Sequence, residues 1–289
     1  RWAITDYIVS LSGGAGPNYT NLVVAKYVQD PIDLAKGTTN FESAKVARFP
    51  VIGQIMEPGR AFHPATSSVT VQAVYDSESI AVLVRWHDQL ADTTGKTGPS
   101  LPVPPAEEAA PTAAATAGAA AEPSVDDPFA DPGAAPTTVA PSEFNDAVAI
   151  QIPSQVPAGA RKPYFIFGDA QNSVDLWFFD LGRPEPLQFV GRGSADITAN
   201  DTGDLTGVAS YDQGEWSVIF KRPLRPTGGA AFSAGQFMPI AFSVWEGFSR
   251  ERGTRRGLTA WYSIYMEPEE VPSAAGPMRT SKPSTSFCS

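Results

Sequence analysis

The stretch Val69-Thr70-Val71-Gln72-Ala73-Val74-Tyr75-Asp76-Ser77-Glu78-Ser79-Ile80-Ala81-Val82-Leu83-Val84-Arg85-Trp86 decides the fold class. Val69, Val71, Ala73 and Tyr75 alternate with Thr70 and Gln72, the period of two that puts one side of a strand on a core. Asp76 to Ser79 supplies turn residues. Ile80 to Trp86 follows, apolar on both faces until Arg85, so the pair reads as a hairpin with a buried second strand. Outward from this hairpin the same signal recurs. Ala147 to Ile152 carries Val148, Ile150 and Ile152 on one face; Val174 to Phe179, Trp216 to Lys221, Ile240 to Trp245 and Thr259 to Met266 complete the set. Aromatic residues make up 10% of the chain, which suits a packed pleated core. The reading is all-β, an antiparallel β-sandwich with a few short helices.

Composition bounds what such a sandwich does. The chain has 289 residues, 42% of them hydrophobic, room for one large domain or two small ones with a packed core. A net charge of −10 argues against nucleic acid, whose binding draws on neutralised phosphates. Cys288 is the only cysteine, so an intrachain disulfide, a CxxCH haem attachment and a cysteine zinc site are all excluded. His63 and His87 are the only histidines. No apolar run reaches the ~18 residues of a membrane span, and no signal peptide is visible. The chain begins at Arg1 and reads as a mature form or a fragment.

Organisation follows from shifts in composition. Residues 94–142 hold 14 Ala and 10 Pro, with six acidic groups and one basic, and read as a disordered acidic insertion within one domain. Ile4, Ile8 and Leu11 recur at helical spacing before Ser12-Gly13-Gly14, so residues 1–14 read as the last helix of a domain missing on the N-terminal side. The sandwich is assigned to 20–93 and 143–270, and 271–289 to a flexible tail.

The strands also carry an ordered motif series. It runs Trp86-His87-Asp88, Phe144-Asn145-Asp146-Ala147-Val148-Ala149-Ile150, Pro163-Tyr164-Phe165-Ile166-Phe167-Gly168-Asp169 and Val174-Asp175-Leu176-Trp177. Gly191-Arg192-Gly193, Gly214-Glu215-Trp216 through Phe220-Lys221-Arg222-Pro223-Leu224, and Ile240 through Trp245-Glu246-Gly247 follow. This series resembles the haem b-binding gamma subunit of ethylbenzene dehydrogenase and its relatives in selenate, chlorate and dimethyl sulfide molybdoenzymes, over roughly Val46 to Met266. The resemblance implies one non-covalent haem b, electron transfer between molybdenum and iron–sulfur subunits and a soluble carrier or c-type cytochrome, and a periplasmic or otherwise extracytoplasmic location. It implies axial ligation by a lysine and a methionine. The lysine falls on Lys221, and the methionine belongs in the Pro163–Asp169 stretch, where this chain has Phe165-Ile166-Phe167 and no sulfur. The haem is then five-coordinate, differently ligated or absent. Ile166, Phe167 and Trp177 are the neighbours the resemblance gives the cofactor. Residues 1–14 are similar to the closing helix of a class I cytochrome c domain.

Each candidate has a plainer alternative. Lys221 shares a strand face with Ser217 and Ile219. Facing inward, it is costly unless paired or ligating, and burial favours the neutral amine that a ligand needs; at an edge it simply snorkels to water. Met238 has the parity of Ile240 and Phe242, which suits core filling, and Met56 lies in a loop; either is a second source of sulfur for the iron. His63 and His87 read as rim residues or as imidazole ligands. Arg250, Arg252, Arg255 and Arg256 read as a solvated loop or as a clamp for propionates or an acidic partner. Asp196, Asp201 and Asp204 match turn chemistry and not a calcium-loop motif.

No nucleophile elbow is present, and the acidic pairs Glu107-Glu108 and Glu269-Glu270 lie in Pro-rich polar segments. The chain is therefore expected to catalyse no reaction alone. Three functions compete: a haem electron-transfer subunit, a carbohydrate-binding-like module using Trp177, Trp216, Trp245 and Trp261, and a haem-free scaffold subunit.

Overall fold

A computed structural model describes residues 20–56, 63–103, 142–156 and 162–269. The expectations for residues 1–14 and 271–289, and for most of the 94–142 insertion, lie outside the described residues.

Alternating apolar residues form strands wherever the sequence shows them, and in several places where it does not. In chain order they are β1 (Leu22–Tyr27), β2 (Ala47–Pro50), β3 (Ile52–Gly53), β4 (Ser68–Tyr75), β5 (Ser79–His87), β6 (Ala147–Pro153) and β7 (Val174–Asp180). They continue as β8 (Leu187–Gly191), β9 (Ile197–Ala199), β10 (Thr206–Asp212), β11 (Glu215–Pro223), β12 (Phe237–Trp245), β13 (Gly257–Leu258) and β14 (Tyr262–Met266). Where a few short helices are expected, the described residues contain a single 3₁₀ segment, Leu34–Phe41, which Gly37 kinks at φ 54°. No helix among the described residues is long and apolar enough to cross a membrane.

The hydrogen-bonded order β10-β11-β5-β4-β1-β14-β12-β6-β7-β8-β9 folds over on itself as two layers. The hinge is β12. Its first half, Phe237 to Ile240, pairs with β14, and its second half, Ala241 to Trp245, pairs with β6. A strand that passes from one layer to the other makes the corner of a sandwich. The expected antiparallel arrangement fails at one strand: β1 runs parallel to both β4 and β14. It wedges between two strands that run the same way, so its direction sets both pairings alike, and here both are parallel.

Side-chain parity sorts the residues into three apolar layers. Val69, Val71, Val82, Val84, Val148, Ile150, Val218, Phe220, Phe242 and Val244 meet between the sheets. Phe49 and Phe242 stack across this core at 5.7 Å between centroids, and Trp86 and Trp216, cross-strand neighbours on β5 and β11, stack side by side at 6.3 Å. The outer face of one sheet carries Ala149, Leu176, Phe178 and Trp245, covered by the turn that holds Ile166 and Phe167. The other outer face carries Val74, Ala81, Leu83 and Ile219, covered by the 3₁₀ segment through Ile32, Phe41 and Ala44. Both coverings explain strands that read as apolar on two faces.

Candidate functional site

Three strand ends converge at one end of the sandwich. β5 ends in Trp86-His87 and is followed by Asp88; β6 is preceded by Asp146; β12 ends at Trp245 and is followed by Glu246. Ala147 of β6 faces Trp245 of β12 in register, so the next step outward sets Asp146 beside Glu246. Asp88 reaches them from the opposite sheet. One carboxylate oxygen from each of Asp88, Asp146 and Glu246 lies within 4.8 Å of the other two, and all three residues are buried. Asp92 and Glu251, also buried, stand next to them.

Burial dominates the electrostatics here. It pushes the Asp88 carboxyl up to about 6, with the charge of Glu246 adding to the rise. Burial and the charge of Asp88 push Asp146 up to about 7, against the N–H groups that bond it. Burial likewise raises Glu251 to about 7, although the N–H groups of Ala65 and Glu246 bond its carboxylate. A cavity of about 450 Å³ opens on Asp88 and Glu246, with His87, Gln89, Leu90 and Phe248 on its walls. Sequence reading passes over this cluster although its members lie in three of the quoted motifs, because only strand register brings them together.

The candidates singled out from the sequence fall in different layers. Lys221, half-buried on β11, points away from the inter-sheet core toward the 3₁₀ covering, where its Nζ donates to the Ile32 carbonyl at 2.5 Å. Met238 and Trp177 sit between the sheets. Ile166 and Phe167 are fully buried on the far outer face. Phe167 adopts φ 61°, left-handed backbone that is uncommon for an aromatic residue, and the Arg256 guanidinium lies 3.8 Å over its ring. Met56 is exposed in a loop, and His63 and His87 are exposed as well.

Two further expectations are corrected. Trp177, Trp216 and Trp245 are buried, and only Trp261 of the four tryptophans reaches the surface in part, because three of the rings fill the layers of the fold. They form no aromatic platform for a sugar. The arginine loop is not one basic patch either. Arg256 is wholly buried, while Arg250 and Arg252 lie over the Phe144 ring at 5.7 and 4.4 Å, and Arg250 pairs with Glu143.

A charged pair in the core also escapes the sequence reading. Arg222 of β11 and Asp175 of β7 bond at 2.5 Å with side chains that are 0% and 1% exposed. Gln188 donates to Asp175, the carbonyls of Gly228 and Ala230 accept from Arg222, and the guanidinium lies 5.3 Å from the Trp177 ring. The pair ties the two sheets together.

A haem needs an iron ligand facing an apolar slot. Lys221 is the one residue of the implied pair that this chain possesses, and its half-buried amine is taken up by the Ile32 carbonyl at the edge of the apolar covering. Three cavities lined by described residues contain no lysine and no methionine on their walls. The one with a histidine, His87, has a carboxylate floor that repels haem propionates. The described side chains as arranged therefore do not fit a haem held by lysine and methionine.

Fold and site together define an all-β sandwich module whose polar centre is a buried carboxylate cluster at the end of its strands. The chain belongs to the ethylbenzene dehydrogenase family, whose model matches residues 39–200, from the 3₁₀ segment to the end of β9. Over 131 residues it is 29% identical to a protein of Haloferax mediterranei named as a respiratory nitrate reductase heme subunit, ORF7, covering 44% of this chain and 46% of that one. It is 29% identical over 126 residues to the chlorate reductase subunit gamma of Ideonella dechloratans, covering 42% and 51%. The chain thus spans about half the length of the curated relatives it matches. Among solved structures it is similar to a family 9 carbohydrate-binding module of Caldicellulosiruptor kristjanssonii in complex with glucose. There the TM-score is 0.44 and the identity 11%, over 87% of this chain and 99% of that one.

Proposed function

We propose that this chain is a non-catalytic, haem-bearing electron-transfer module of a multi-subunit oxidoreductase. The observation that carries the reading is membership of the ethylbenzene dehydrogenase family over 39–200, together with two relatives named as heme or gamma subunits of reductases. In the finer form of the proposal the cofactor is one haem b, the partners are molybdenum and iron–sulfur subunits or a c-type cytochrome, and the module works outside the cytoplasm. Lys221 is its candidate ligand: the amine lies at the edge of an apolar layer, and among the described residues no ion pair holds it. Ligation by Lys221 requires the covering at Ile32 to move.

Titration of the purified chain with hemin, followed by reduction with dithionite, tests the proposal. A saturable one-to-one Soret band is expected, high-spin with Lys221 as sole axial ligand, and Lys221→Ala should abolish or strongly weaken the uptake. Absence of specific uptake overturns the reading.

A further inference from the structure

We infer that Asp88, Asp146 and Glu246, with Asp92 beside them, form a calcium site at the end of the sandwich. Every donor is an oxygen, the chemistry of a hard cation. Two oxygens on one Ca²⁺ at about 2.4 Å lie at most about 4.8 Å apart, and the three carboxylates meet that limit from three separate strand ends. Buried carboxylates that must be joined by waters suit the flexible six-to-eight-fold coordination of Ca²⁺ better than the strict octahedron of Mg²⁺.

Hydrogen bonding orients this set and leaves oxygens over. Asp146 Oδ2 accepts from the Asp92 N–H at 2.8 Å and the Trp216 Nε1–H at 3.1 Å, and its Oδ1 from the Gly247 N–H at 2.8 Å. Glu246 Oε2 accepts from the Ser249 N–H at 2.6 Å, and Asp88 Oδ1 from the Leu90 N–H at 3.2 Å. Asp92 Oδ2 is sealed from solvent with no hydrogen-bond partner, and Asp88 Oδ2 is sealed with only the indole N–H of Trp86 beside it, in residues only 5% exposed. A buried carboxylate oxygen with nothing bound to it is costly. Asp92 is not one of the three converging residues, so its orphaned oxygen is a separate sign that a positive group belongs here. No side chain supplies one: the ion pairs among the described residues all lie elsewhere.

The site is also rigid and reachable. A Cβ at Gly247 would come within 2.2 Å of the Phe144 carbonyl and 2.8 Å of Asp92 Cβ, so the chain ends here are clamped together. The cavity of about 450 Å³ over Asp88 and Glu246 gives an ion its path in and room for the waters that complete six to eight ligands. The competing arrangement is a pair of carboxyls sharing a proton. The inference does not rest on haem binding, and failure of hemin uptake leaves it standing.

The test uses the full chain, stripped with EDTA and returned to chelator-free buffer. It is titrated with Ca²⁺ by calorimetry and with Tb³⁺ by tryptophan-sensitised luminescence, Trp216 being bonded to a ligand. One saturable site is expected, with Tb³⁺ emission displaced by Ca²⁺ more readily than by Mg²⁺, and with a thermal midpoint raised by excess Ca²⁺. Asp88→Asn and Glu246→Gln should each weaken Ca²⁺ binding tenfold or more, with circular dichroism showing that both are folded. Asp196→Asn, an exposed carboxylate, should leave binding unchanged. No saturable heat or emission from the wild-type chain overturns the inference, as does unchanged affinity in both variants. A midpoint that ignores Ca²⁺ but rises in Asp88→Asn also overturns it, in favour of the shared proton.

Discussion

Arg222 shows how far a single residue departs from its sequence label. In Phe220-Lys221-Arg222-Pro223 the lysine draws attention as a ligand, yet the arginine is the residue that enters the core. Its partner Asp175 lies two residues before the buried Trp177, and alternation places both charges on inward faces, Asp175 with Trp177 and Phe179 and Arg222 with Val218 and Phe220, but does not reveal that they meet. Removing one member of such a pair leaves the other charge buried and costs about 3–5 kcal/mol, whereas replacing both with apolar groups costs less. Arg222→Met should therefore shift the denaturant midpoint down strongly, and Asp175→Leu combined with Arg222→Met should recover part of the loss. Recovery will be incomplete, because the carbonyls of Gly228 and Ala230 lose their donor. Chemical denaturation of the two single variants and the double variant gives the coupling directly. The same limit on legibility applies to Asp88, Asp146 and Glu246: each is visible inside a motif at a strand end, and their meeting depends on register between strands far apart in sequence.

At the scale of elements, the hairpin of β4 and β5 is fully legible, down to its turn. Asp76 is more than a turn residue, however. Its Oδ1 accepts from the N–H groups of Glu78 and Ser79 at 2.8 and 2.6 Å, and its Oδ2 from the Ile32 N–H at 2.9 Å. One side chain thus closes the hairpin and pins the covering of the outer face. Burial alone would raise the Asp76 carboxyl, but these N–H donors and the Ser79 hydroxyl outweigh it and hold the group below the usual carboxylate range. A depressed pKa stabilises the fold at pH values above the unfolded-state pKa of about 4, and that contribution is lost as pH falls through the folded value. Asp76→Asn should lower stability at neutral pH by about 1–3 kcal/mol and flatten the acid limb of a stability-against-pH curve, read by thermal melts from pH 7 to pH 3. Elements the sequence hides have an equally physical cause. β10 is Thr-Gly-Val-Ala-Ser-Tyr-Asp, mostly exposed at the sheet edge, so it needs little apolar alternation and shows little. β1 alternates only weakly because its placement between β4 and β14 is decided by its neighbours.

At the scale of the whole molecule, the Ala/Pro-rich stretch raises the question of whether the two halves of the chain are one body. Its flanks answer from both sides. The Lys96 N–H donates to the Glu143 carbonyl and the Asn145 N–H to the Lys96 carbonyl, each at 3.1 Å, so the chain returns to the point it left. Beyond Lys96, the Gly98 carbonyl accepts from Gly253 and the Pro102 carbonyl from Arg252, which docks the outgoing strand against the loop after β12. Residues 104–141 begin only after these contacts and carry six acidic groups with no basic one. With ends already held together, this segment adds loop-closure entropy, and replacing it with about six Gly/Ser residues should relieve about 1–2 kcal/mol of that cost. The shortened chain should melt at or slightly above the midpoint of the full chain and elute earlier in anion exchange, as a net charge moved from −10 toward −4 requires. It should also take up Ca²⁺ with unchanged affinity, because Asp88, Asp92, Asp146 and Glu246 all lie outside the removed residues. A midpoint several degrees lower would show instead that residues 104–141 pack on the sandwich, and that the two halves depend on the segment joining them.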